Sequence, residues 1–142
     1  MNNKQQEVTV IRNLASRDEL QQRMGYAICY LNDLSKLNQS SLSRLVYVDR
    51  LAKNKYHGCI LPRGRALRQL LLASINQVTE EVGQEPSLRK ACQYLQLRAD
   101  GHSCQEISAQ MGLSREHISR HHRRIALNLA AEAFLNHVEN NE

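Results

Sequence analysis

A chain of 142 residues is long enough for one or two small domains with a real core and too short for a large enzyme. Tryptophan is absent, Phe134 is the only phenylalanine, and two prolines and six glycines leave long stretches unpunctuated; with no sustained apolar-polar alternation to argue for a sheet, the expected fold is all-α, cored by Leu, Ile, Val and Ala. The net charge of +5 is modest but uneven: residues 44–68 carry Arg44, Arg50, Lys53, Lys55, Arg63, Arg65 and Arg68 against Asp49 alone, whereas residues 126–142 carry three glutamates and no Lys or Arg. That distribution suits an anionic polymer as partner better than a merely soluble surface.

Residues 1–7 are polar, and no apolar run of signal-peptide or membrane length follows them; the longest purely aliphatic run is residues 70–73. The expectation is a cytoplasmic protein without a membrane segment. Val8, Val10, Ile11 and Leu14 make a weak apolar cluster, read as a short helix. Ser16 and Glu19 have the S-x-x-E spacing of a capping box. The helix they open carries Leu20, Met24, Ala27, Ile28, Leu31, Leu34 and Leu37 at threes and fours. This stripe reads as a core helix, with a homodimer seam as the alternative. A polar break at residues 38–41 precedes a helix through Leu42, Leu45, Val46 and Leu51 to Lys53, and residues 54–58 form the next loop. Pro62 disfavours α geometry in Leu61, which predicts a helix from Arg63 through Leu67, Leu70, Leu71, Ile75 and Val78 to Gly83. Gln84, Glu85 and Pro86 mark the best domain boundary, giving an N-terminal helical domain over residues 1–85, for dimerisation or partner docking, and a second domain over residues 86–142. Ser87 is expected to cap the helix that follows, with Leu88, Cys92 and Leu95 inward.

The most informative stretch is residues 101–125. Ser103 and Glu106 repeat the capping-box spacing, which predicts a short helix ending near Gln110. Gly112 can take the positive φ of a tight turn, and Ser114 is the next N-cap. Ile107, Met111 and Leu113 on one side and Ile118 and Ile125 on the other would close the angle between the two helices. The second helix should run on past Arg124, because Ile125, Leu129, Ala130 and Val138 continue an apolar stripe. The face left over is Arg115, Glu116, His117, Ser119, Arg120, Arg123 and Arg124.

Over roughly the last third of the chain this pattern resembles two related families of DNA-binding helix-turn-helix. Ser114-Arg115-Glu116-His117-Ile118 looks like the opening of the recognition helix in region four of bacterial sigma factors. Gly101-His102-Ser103-Cys104-Gln105-Glu106-Ile107, with His121 and Ile125 beyond it, is similar to the LuxR-type regulator domain. The preceding helix, residues 87–100, begins without the Arg-Glu pair usual in both, so the choice between the two stays open. Both resemblances imply a helix laid in the major groove of double-stranded DNA. If it enters with its N-terminal end foremost, Arg115, Glu116, His117, Ser119 and Arg120 lie nearest the bases, while Ser114, Arg123 and Arg124 lie nearer the phosphates. Lys53, Lys55, Arg63 and Arg65 lack a cap-turn-cap frame and are expected to touch phosphates only. Region four also binds RNA polymerase, so the resemblance leaves RNA polymerase as a second partner.

Cys29, Cys59, Cys92 and Cys104 form no C-x-x-C pair and are expected to be thiols. His57 with Cys59 and His102 with Cys104 repeat an H-x-C spacing, a weak metal signal set against ordinary buried or incidental cysteines. No nucleophile elbow, phosphate-binding glycine loop, H-E-x-x-H or paired-carboxylate motif is present, so neither catalysis nor a cofactor is expected.

Overall fold

The structure, a computed structural model, describes residues 17–82 and 85–140. The expected helix around Val8, the Ser16 cap, the Gly83 stop and Glu142 lie outside them. Among the described residues every element is helical: α1 (Arg17–Cys29), α2 (Leu34–Gln39), a 3-10 turn (Ser41–Arg44), α3 (Val46–Lys55), α4 (Pro62–Val82), α5 (Pro86–Ala99) and α6 (Cys104–Met111). The last helix, α7, runs unbroken through Arg115–His117, Ile118–His122 and Arg123–Asn140. No helix among the described residues is long and apolar enough to cross a membrane.

The arrangement is set by α4 and α7. Helix α7 packs along α1, α4 and α5, and α4 also carries α2, the 3-10 turn and α3. Leu67, Leu71 and Ile75 of α4, Leu95 of α5, and Ala130 and Phe134 of α7 belong to one cluster of buried side chains, so the core is continuous across residues 83–86. The apolar stripe of α1 and the turn after it lie in the same core: Leu20, Met24, Ala27, Ile28 and, beyond the helix end, Leu31 are all buried within the chain. Each fully buried aliphatic side chain of this kind contributes roughly 1.5–3 kcal/mol.

Two glycines permit close approaches. A Cβ on Gly25 would sit 2.6 Å from the Arg123 guanidinium and 3.0 Å from Leu127, so α1 and α7 touch there through a side chain that lies across bare backbone. A Cβ on Gly64 would sit 2.5 Å from the Leu34 carbonyl oxygen. The start of α4 is thereby held against α2, and the Gly64 N–H donates to the Asn38 side chain at 3.0 Å.

Four of the boundaries that differ from the sequence expectation have a local reason; in addition α3 runs on to Lys55, into the expected loop. The helix expected to reach Leu37 ends at Cys29, because Asp33 serves as the N-cap of a new helix and accepts the Lys36 N–H. The run from Leu42 begins as a 3-10 turn and becomes α-helical only at Val46; the Ser40 hydroxyl accepts the Leu42 N–H, and the buried Ser43 hydroxyl donates to the Asn38 and Ser40 carbonyls at 2.8 and 2.7 Å. Helix α4 starts at Pro62 itself, since a first-turn residue needs no N–H donor. Ser87 is not the cap of α5: Glu85 occupies the N-cap with Pro86 as first residue, and the Ser87 hydroxyl donates to the Glu85 carboxylate at 2.9 Å.

Candidate nucleic-acid interface

The turn from α6 into α7 is fixed by the residues that the spacing singles out. The Ser103 hydroxyl accepts the Glu106 N–H at 3.2 Å and the Glu106 carboxylate accepts the Ser103 N–H at 2.9 Å, so both halves of the capping box form. Those bonds hold the Glu106 carboxyl below its ordinary range, with the Ser103 backbone N–H the largest cause. Helix α6 reaches Met111, one residue beyond the expected stop, and Gly112 follows in the left-handed region with φ 66. The Ser108 hydroxyl donates to the Leu113 carbonyl and closes the turn. The Ser114 hydroxyl then accepts the His117 N–H at 3.0 Å, which caps α7. Ile107 and Ile118 are buried in the core cluster, and Met111, Leu113 and Ile125 are half-buried against it.

Arg98 ties this unit to the rest of the molecule. Its guanidinium donates to the His102 carbonyl at 2.9 Å and to the Cys29 sulfur at 2.9 Å, joining the end of α5, the entry to α6 and the end of α1. The direction of α7 is thus set from both sides, by Arg98 behind the turn and by Gly25 beneath Arg123.

Of the expected base-reading residues, Arg115, Glu116, His117, Ser119 and Arg120 are all exposed. Arg120 and Glu116 pair with each other at 2.9 Å, both largely in solvent; an exposed pair of this kind holds its partners by only about 0–1 kcal/mol. The expected phosphate contacts divide. Ser114 and Arg124 are exposed, whereas Arg123 is half-buried with its guanidinium over Gly25, turned toward α1.

The basic side chains of residues 44–68 have different partners. Asp49 takes Lys53 at 3.0 Å and Arg63 at 3.4 Å, and this pairing, Lys53 first, holds its carboxyl below the ordinary range. Lys55, Arg65 and Arg68 instead line a groove of about 490 Å³ together with Leu34, Tyr56 and Leu72. Arg65 also donates to the Ile60 carbonyl at 2.7 Å, which pins the loop before α4.

One feature of α7 was not read from the sequence. Between Ile118 and His122 the helix widens to a π turn, in which the Arg123 N–H bonds to the Ile118 carbonyl five residues back. His117, His121 and His122 come together there, with ring centroids 4.9 to 5.4 Å apart. His122 is only 6 % exposed, and neither of its ring nitrogens has a hydrogen-bond partner. Burial, then His121, His117 and Lys90, lowers its pKa from the ordinary imidazole value. The available signal was the stripe Ile118, His122, Ile125, which places a histidine at an inward position.

Among the described residues no group of His, Cys, Asp or Glu is arranged to hold a metal ion, and the four cysteines are free thiols, with Cys29, Cys59 and Cys104 exposed and Cys92 buried. Against protein-family models, curated proteins and solved structures, the chain finds no match.

Proposed function

We propose that the chain is a cytoplasmic, sequence-specific DNA-binding regulator of transcription that reads double-stranded DNA with the N-terminal part of α7. The observation that carries this reading is the frame on Ser103, Gly112 and Ser114, with its two satisfied caps and left-handed glycine. It ends in a helix whose first turns present Arg115, Glu116, His117, Ser119 and Arg120 to solvent beside Arg124. A rigid, capped helix with arginines on its outer face fits a major groove, where Arg pairs bidentately with guanine. Lys55, Arg65 and Arg68 would add phosphate contacts that carry no sequence information.

A second reading has its own observation. Leu61 is held at φ 52, a left-handed conformation that β-carbon sterics disfavour, and beside it Ile60 is 76 % exposed. An apolar side chain held out next to Arg65 suits a protein partner with an acidic surface, which would make the chain an interaction module of the transcription machinery, docking on RNA polymerase or a sigma factor. Selection of bound duplexes from a random-sequence pool separates the two. Enrichment of one motif supports DNA reading; binding without enrichment, or none, favours the module.

A further inference from the structure

His117 and His121 share a helix face through their four-residue spacing, and the π turn brings the ring of His122 to them. In a regular α-helix, residues five apart are separated by about 140° around the axis, so His117 and His122 would face different ways. The i→i+5 bond from Arg123 to Ile118 widens the turn. His122 then faces inward while its ring stands edge-on to those of His117 and His121.

The surroundings disfavour charge on His122. His122 is buried, and both of its nitrogens lack partners, so no carboxylate or carbonyl is in place to accept from an imidazolium. The segment packs against α5, and the charged group that reaches His122 from there is Lys90, a cation. On α7 itself the neighbours are the other two imidazoles, and the nearby carboxylate, Glu116, is engaged by Arg120. Protonation of His122 therefore puts a charge on a desolvated ring that has no acceptor in place and faces the cation Lys90.

We propose that His122, with its ring against those of His117 and His121, is a proton-binding site that gates the base-reading end of α7: neutral His122 holds the π turn closed, and its protonation opens it. Its effect on DNA rests on the reading of α7 as the DNA-reading helix; the opening itself does not. The unfolded or opened chain binds the proton more readily than the closed one. Stability from neutral His122 is therefore complete above the ordinary imidazole pKa of about 6.5 and is lost as pH falls below it. Opening would disorder Arg115 to Arg120 while leaving their charge in place. Acidification should then remove discrimination between sequences and spare attraction to random DNA.

The test is amide hydrogen exchange of the full chain, corrected for intrinsic rates, between about pH 7.5 and 5.5. Protection of the amides of residues 118–124 should fall, relative to those of α4, by up to about tenfold per pH unit, the linkage of one proton. In His122→Phe, which keeps a ring of similar shape without titrating, protection should stay flat. Protection that is unchanged in the natural chain, or that falls in parallel in both, overturns the proposal. Should His122→Phe fail to fold, His117→Gln with His121→Gln leaves His122 in place and removes the two imidazoles packed on it. A smaller acid loss there supports the site, and a loss equal to that of the natural chain overturns it. Titration against a selected and a random duplex across the same pH range adds the second readout. An exchange transition without any DNA binding would keep the proton site and reject the DNA reading alone.

Discussion

At Gly112 the chain turns into α7 with φ 66, and at Leu61 it turns into α4 with φ 52, so the same left-handed geometry is reached by a residue that adopts it freely and by one that does not. The first turn is self-contained: Ser103, Ser108 and Ser114 satisfy its backbone from within a dozen residues, and nothing lies within 4 Å of the space a Gly112 Cβ would fill. The second is imposed from outside. Arg65 holds the Ile60 carbonyl, and Gly64 is seated under the Leu34 carbonyl with Asn38 on its N–H. A locally encoded turn forms from its own residues, with Arg98 and Gly25 only seating the helix it starts, whereas an imposed turn depends on its neighbours for its conformation.

Gly64→Ala should separate the two kinds of turn most widely. Its Cβ would press on backbone at 2.5 Å and 3.1 Å, contacts that cannot be relieved by a rotamer change, and a stability loss of about 3 kcal/mol or more is expected. Urea unfolding measures it, and a loss below about 1 kcal/mol would mean that α2 and α4 are not held as described. Gly112→Ala meets open space, so only the backbone conformation opposes it, and the loss should be about 1–2 kcal/mol. A larger loss would show that this turn, too, depends on close packing.

Smaller again are the caps. Ser103→Ala and Ser114→Ala each remove one acceptor from a helix start and should cost about 1 kcal/mol. The two should add to within a few tenths if α6 and α7 are capped independently. Clear non-additivity in a double-mutant cycle would mean that the turn forms as one coupled unit.

The same contrast explains what could be read from the sequence. Helix class, the cap-glycine-cap frame and the exposed face of α7 were legible because each rests on residues within a few positions of one another, as Ser103 with Glu106 and Ser114 with His117. The break at Cys29 was missed because Leu31, Leu34 and Leu37 keep helical spacing while Asp33 caps a new helix beneath them. Arg123 was placed with Arg124 on the outer face, and the absence of a side chain at Gly25, almost a hundred positions earlier, draws it inward. The π turn was invisible because a one-residue change of pitch leaves no composition signal, only a histidine at an inward position.

The central claim is that the first turns of α7 read bases and do not merely attract charge. Titration of Arg120→Ala and Arg124→Ala against a selected and a random duplex, at several salt concentrations, tests it most directly. Arg120, freed from its weak pairing with Glu116, should account for about 1–3 kcal/mol on the selected site and little on random DNA. Arg124→Ala should weaken binding to both and make the salt dependence shallower by about one phosphate contact. Equal losses on the two duplexes for Arg120→Ala would contradict the account and move the protein-docking reading to first place.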